Sequence, residues 1–189
     1  MLRDGIPCAV EISRGNMMAM MGNQNCHAEI TFEDNVKWLA RFRLARTSPP
    51  PREVREWILR SEAATMLYLQ QHTRIPTPKV FDWACESDLD NPIGGGVGYI
   101  LMEKLDGKPL DWQTASAEQR EKVMQQLADI FIEIEKHPFN AMGSLVSDGD
   151  AYKVEGLAQQ STFRAGRGPL GPFHARWRDH DLSSSRTSP

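Results

Sequence analysis

The sequence predicts an α+β fold, an antiparallel sheet carrying one long helix and followed by a second helix. Three observations predict it. Residues 36–44 alternate, with Val36, Trp38, Ala40, Phe42 and Leu44 on one face and Lys37, Leu39, Arg41 and Arg43 on the other, which is a strand pattern. Residues 52–71 carry apolar side chains at helical spacing. Residues 97–102 form an apolar run with little alternation, the signature of a strand buried on both faces.

In chain order, residues 1–13 show no clear period, and Arg14-Gly15-Asn16 leads into methionines at 17, 18, 20 and 21. Such a cluster fills a core or makes an adaptable surface. Gly22-Asn23-Gln24-Asn25 is a turn by composition. From 26 to 32, Ala28, Ile30 and Phe32 alternate with His27, Glu29 and Thr31, and Glu33-Asp34-Asn35 turns the chain into the next strand. This predicts an antiparallel hairpin, in a meander whose first strand is the methionine run.

A proline-rich break at 47–51 precedes the 52–71 helix. Ile58, Glu62, Met66 and Leu69 share one face of that helix by their spacing of three and four. Glu62 is therefore a carboxylate among apolar neighbours, and it needs a cation or a proton because desolvating a bare charge is costly. Each proline of Ile75-Pro76-Thr77-Pro78 holds its predecessor extended. Residues 80–84 read as a short strand, and 86–92 as a polar loop with solvated carboxylates. Residues 103–107 are a turn, and Ser116 with Gln119 forms a capping box. The helix behind it runs to about Lys136, is expected to bury Val123, Leu127, Ile130, Phe131 and Ile134, and ends at His137-Pro138.

The chain has 189 residues, one domain of ordinary size or one and a fragment. A net charge of −3 argues against a general nucleic-acid binder. No apolar run approaches a membrane span, and the N-terminus lacks a signal-peptide core. Three widely separated cysteines, Cys8, Cys26 and Cys85, suggest reduced thiols and a cytoplasmic protein. Cys26-His27 lacks a second pair at ligand spacing, so no metal site is expected. Gly166, Gly168 and Gly171 match G-x-G-x-x-G, but no strand precedes them and Pro169 and Pro172 interrupt them. His180-Asp181-Leu182 is superficially like a kinase catalytic loop, yet position 186 is Arg where that loop needs a metal-holding Asn. His72, His137 and His174 are isolated and read as surface or loop histidines.

A strand cation followed by a helix carboxylate is the arrangement that holds nucleotide phosphates in kinases. The order strand, turn, strand, cation-bearing strand, helix with an inward Glu, strand, strand, linker, helix resembles the small lobe of the protein-kinase-like fold. In detail the chain resembles the aminoglycoside phosphotransferase family. Residues 22–44 (GNQNCHAEITFEDNVKWLARFRL), 61–69 (SEAATMLYL), 75–83 (IPTPKVFDW), 99–110 (YILMEKLDGKPL) and 127–145 carry the resemblance, which covers about residues 17–145. It implies that Gly22, Asn23 and Gln24 lie in the loop over the ATP phosphates. Arg41 would contact phosphate and Glu62 would pair with it. Leu39 would roof the adenine, Met102 would line the back of its pocket, and Glu103 (carbonyl) and Leu105 (N–H) would hydrogen-bond it.

The family's His-Gly-Asp loop with a later Asn, and its metal-binding Asp, have no counterpart in this sequence. The resemblance therefore implies ATP-dependent phosphoryl transfer, with Mg²⁺, to a small-molecule hydroxyl in full-length members. This chain is expected to be a catalytically incomplete fragment with no catalytic residue or metal ligand of its own. The expected layout is a small lobe over 1–105, a linker and first large-lobe helix over 106–146, and an irregular, disordered tail over 147–189. Apolar surface that the missing lobe would cover is expected to promote self-association. The rival readings are a non-enzymatic, degenerate kinase-like interaction module and a metal-binding regulatory domain.

Overall fold

The computed structural model describes residues 5–10, 20–22, 25–43, 50–94, 96–149 and 151–157. The fold is mixed α+β. Five strands, β1 (Cys8–Val10), β2 (Asn25–Phe32), β3 (Lys37–Arg43), β4 (Val80–Ala84) and β5 (Tyr99–Glu103), form an antiparallel sheet in the order β1-β2-β3-β5-β4. Helix α1 (Arg52–His72) joins β3 to β4, and α2 (Ala117–Glu135) follows β5. Strands β6 (Ser144–Asp148) and β7 (Ala151–Glu155) make a separate hairpin that packs on α1. No helix among the described residues is long and apolar enough to cross a membrane.

The β2–β3 hairpin forms as the alternation predicts. Its turn closes through Phe32 N–H to Val36 O at 2.9 Å, and Asn35 takes a positive φ of 65°, a conformation asparagine tolerates better than most side chains. The meander's first strand is not the methionine run. Cys8–Val10 fills the edge position, with Cys8 opposite Phe32 and Val10 opposite Ile30. Met21 makes only an isolated bridge to Cys26, and Met17 and Met18 lie outside the described residues. Three exposed residues are too few to display a period of two, so sequence pattern could not have found this strand.

β3 lies between β2 and β5, and both its faces are covered. On the even face Trp38 stacks on Phe81 at 4.0 Å and meets the Phe32 ring edge-on at 4.9 Å. On the odd face Leu39 packs with Met66 and Leu67 of α1 against Leu59, Ala63, Val80, Cys85, Ile100 and Met102. Ile100 and Ala63 are wholly buried. Two consecutive alanines in α1, Ala63 and Ala64, let the helix approach the sheet closely, since neither carries more than a methyl group.

α1 begins where Pro51 accepts from Val54 N–H and Arg55 N–H, both at 3.1 Å. Thr73 ends it, bonding Leu69 O through both its N–H (3.1 Å) and its hydroxyl (2.6 Å). α2 opens with the capping box that its sequence announces: Gln119 N–H donates to Ser116 Oγ at 3.2 Å, and Ser116 N–H to Gln119 Oε1 at 2.9 Å.

Three expectations are corrected. α2 buries none of its residues: Leu127, Phe131 and Ile134 are exposed, Phe131 by 65%. The spacing identifies an apolar stripe, but whether anything covers it is not a property of the helix. The acidic loop after β4 is not simply solvated. Glu86 pairs with Arg55, and Asp88 accepts from Cys85 N–H at 2.7 Å while pairing with Arg60 at 2.8 Å. Finally, residues 147–148 and 151–155 are not irregular, because they complete β6 and form β7. The glycine pattern 166–171 and His180-Asp181 lie outside the described residues.

Candidate functional site

The antiparallel register assembles the site. Opposed residues in a ladder project to the same face. His27 stands opposite Arg41, Arg41 opposite Ile100, Glu29 opposite Leu39, and Leu39 opposite Met102. Leu39, Arg41, Met102, Glu29 and His27 therefore share the face that looks toward α1. Across the gap Glu62 places Oε2 2.8 Å from Arg41 Nη2, with side chains 34% and 18% exposed. The pair is thus half-buried and open to solvent on one side.

Around this pair lies a wider charge network. Arg43, two residues along the same face, feels Glu62 and Glu86 as attractive charges and Arg41 and Arg55 as repulsive ones. Burial is the largest influence and pulls its pKa below the usual arginine value. Arg55 grips Glu86 with two bonds, Nε to Oε1 at 2.7 Å and Nη2 to Oε2 at 2.5 Å, and a third nitrogen reaches Pro50 O at 2.6 Å. This fork holds its charged form, raising the Arg55 pKa. Nearer the end of β5, Glu29 accepts from Lys104 and, at 2.7 Å, from Lys37. The two ammonium groups, Lys104 first, hold its carboxyl below the usual range.

β5 leads out through Glu103. Its N–H donates to Lys79 O at 2.8 Å and its carboxylate accepts from Lys79 N–H at 3.2 Å, which fixes the strand where it becomes a linker. Lys104 N–H reaches Lys37 O at 3.4 Å. Leu105 is half exposed. On the other side of the site, Gly22 N–H donates to Asn25 O at 2.8 Å. Asn23 and Gln24 lie outside the described residues.

Of the nine residues singled out from sequence, then, Leu39, Arg41, Glu62 and Met102 converge on one face, and Glu103 and Leu105 follow directly from it. The sequence places His27 on the polar face of its strand but does not place it beside Arg41. Its N–H and its ring Nδ1 both lie 3.1 Å from Met20 O. Only the pairing with Arg41 reveals its position, and register across a sheet is not a local signal.

Apart from this face, a concavity of about 400 Å³ lies between α1 and the β6–β7 hairpin. Thr65, Tyr68, His137, Phe139, Leu145 and Val154 are among its lining residues. Tyr68, one of these residues, is in ring contact with Phe139 at 5.4 Å and with Tyr152 at 5.1 Å.

No family model matches the chain. Over 109 residues, 57% of its length, the chain is 32% identical to a subtelomeric hrmA-associated cluster protein of Aspergillus fumigatus, with the same identity in each of two strains, and covers 21% of that protein. It is also 32% identical, over 113 residues, to altered inheritance of mitochondria protein 9, mitochondrial, of Candida glabrata, covering 17% of it. The chain spans about a fifth of the length of the curated relatives it matches.

Proposed function

We propose that this chain is a nucleotide-binding small lobe of the protein-kinase-like, aminoglycoside-phosphotransferase-like type. In the complete protein it would hold ATP for transfer of the γ-phosphoryl group to the hydroxyl of a small molecule. The observation that carries this reading is the Arg41–Glu62 pair, a strand cation locked by a helix carboxylate on the same sheet face as Leu39 and Met102. A phosphate needs a cation whose position is fixed before the ligand arrives, and a carboxylate anchor supplies that without consuming every guanidinium donor.

Each residue has a role in this reading. Leu39 and Met102 give the adenine an apolar surface. Glu103 O and Leu105 N–H meet its hydrogen-bonding edge, and Gly22 leads into the loop that would lie over the phosphates, whose Asn23 and Gln24 lie outside the described residues. Mg²⁺ would enter with the nucleotide and would supply neutralisation of the phosphate charge. Among the described residues no cluster of three His, Cys, Asp or Glu side chains could hold it. The cytoplasm is the compartment that fits the free thiols of Cys8, Cys26 and Cys85.

The test is a melting experiment on the whole chain with ATP and Mg²⁺. A ligand at 100 times its Kd stabilises by about 2.7 kcal/mol, and Arg41→Ala should remove most of that. A folded sample that shows no shift in millimolar ATP would overturn the reading. Turnover is expected to be absent, because no His-Gly-Asp sequence is present to accept the hydroxyl proton.

A second reading, a non-enzymatic interaction module, is favoured by the apolar stripe of Met124, Leu127, Phe131 and Ile134 exposed on α2. Stabilisation by a protein partner but not by nucleotide would select it.

A further inference from the structure

Helix α1 is held from two sides, and Glu62 stands between them. Toward the five-stranded sheet the helix presents Leu59, Ala63, Met66 and Leu67. Toward the β6–β7 hairpin it presents Ser61, Tyr68 and Leu69, which line the concavity together with Leu145 and Val154. Ser61 and Glu62 are consecutive, yet one lines that concavity while the next reaches across to Arg41.

The two sides hold the helix differently. Ala63 and Ala64 bring it close to the sheet, and side chains that small interlock little. The hairpin side interlocks. Leu145, 9% exposed and opposite Val154 in the hairpin ladder, lines the concavity from β6. Tyr152 donates its hydroxyl to Gln71 Oε1 at 2.9 Å, and its ring meets Tyr68 at 5.1 Å and His72 at 5.7 Å. Among the described residues β6 and β7 pair only with each other, and an isolated hairpin is marginal at best in water. Hairpin and helix therefore hold each other.

Rotation of the helix matters to Glu62. A helix with its side chains is about 10–12 Å across, so a turn of about 10° about its axis moves a surface carboxylate by about 1 Å. The 2.8 Å bond to Arg41 does not survive such a shift, because ordinary hydrogen bonds end near about 3.2 Å. An Arg41 freed from Glu62 samples several rotamers, and a phosphate must then order it at its own cost.

We propose that the β6–β7 hairpin is a positioning element for the phosphate contact. Leu145 and Tyr152 hold α1 in the rotation at which Glu62 fixes Arg41, and neither residue touches the nucleotide. This inference rests on the nucleotide reading above and adds to it that the same site depends on residues 144–148 and 151–155, which follow both helices in the chain.

The experiment is calorimetric titration of the full chain with MgATP, in a double-mutant cycle of Leu145→Ala and Glu62→Ala, on samples shown to be folded. Each single variant should weaken MgATP on the order of tenfold, the worth of a hydrogen bond to a charged group. The double variant should bind no more weakly than Glu62→Ala alone, because the hairpin acts through that carboxylate. Leu145→Met, which conserves volume, should bind MgATP like wild type. A role in stability alone would weaken binding by the same factor with or without Glu62, and that result overturns the inference. Unchanged or tighter binding by Leu145→Ala also overturns it and leaves the nucleotide reading standing. Failure of wild type to bind MgATP overturns both. Should Leu145→Ala not fold, Tyr152→Leu, which loses the bond to Gln71 and the ring contact with Tyr68, takes its place in the cycle and is read in the same way.

Discussion

Glu62, from the middle of α1, sets its Oε2 2.8 Å from Nη2 of Arg41 on β3, across the gap between helix and sheet. Twenty-one positions separate the two in sequence. With 34% and 18% of their side chains exposed, they belong between the surface and buried limits. Exposed pairs contribute about 0–1 kcal/mol, and breaking a buried pair from one side costs about 3–5 kcal/mol. Glu62→Ala should therefore destabilise by about 1–3 kcal/mol in chemical denaturation. Arg55–Glu86, at 19% and 13% exposure with two bonds, should lie nearer the buried limit. Glu86→Ala should cost more than Glu62→Ala, and a reversed order would show that exposure does not rank these pairs.

Glu29 should shape the acid limb of stability. Lys104 and Lys37 lower its carboxyl pKa from an ordinary 4.5. A depressed folded-state pKa contributes stability that is fully present above the unfolded value and is lost as pH falls through the folded one. Glu29→Gln should thus be less stable than wild type at neutral pH, with the gap closing as pH drops below 4.5. Urea midpoints measured from pH 7 to pH 3 test this. A gap that stays constant with pH would show that the lysines do not hold the charge.

Gly143 sits where β6 begins beside β7. A methyl group there would lie 1.9 Å from Glu155 O and 2.8 Å from Val154 Cγ1. The near atom is backbone and cannot swing away. Gly143→Ala should cost about 1–3 kcal/mol, the usual range for overpacking. The loss should appear as faster amide exchange in β6 and β7 with β2, β3 and β5 unchanged.

The apolar stripe of α2 should make the chain adhesive. Met124, Leu127, Phe131 and Ile134 recur at spacings of three and four and are all exposed, and a contiguous patch of that kind binds other apolar surfaces. Wild type should bind a hydrophobic dye and self-associate as concentration rises. Phe131→Glu should reduce both while changing stability by no more than about 0.5 kcal/mol, since Phe131 contributes little to the core. Unchanged dye binding would place the adhesive surface elsewhere.

Much of this architecture is local, and local features can be read from sequence. The alternation from 26 to 44 determined the β2–β3 hairpin, because a strand's two faces are set by a period of two. The Ser116–Gln119 capping box and the prolines around α1 determined where the helices start, because caps act within four residues. The apolar run before Glu103 determined a strand buried on both faces. The solitary carboxylate of Glu62 on an apolar stripe determined that it needed a cation, and Arg41 fills that need.

Tertiary structure decided the rest. Cys8–Val10 is a strand only because β2 offers it an edge, and three residues carry no pattern of their own. Strands β6 and β7 form because α1 supplies a surface for Leu145 and Tyr152. Glu86 and Asp88 are tied down by arginines that lie about thirty positions earlier. The stripe on α2 was visible, but its exposure was not, because burial depends on what else folds against a helix. His27 gained its place beside Arg41 from strand register, which is fixed by the whole sheet and not by the residues around it.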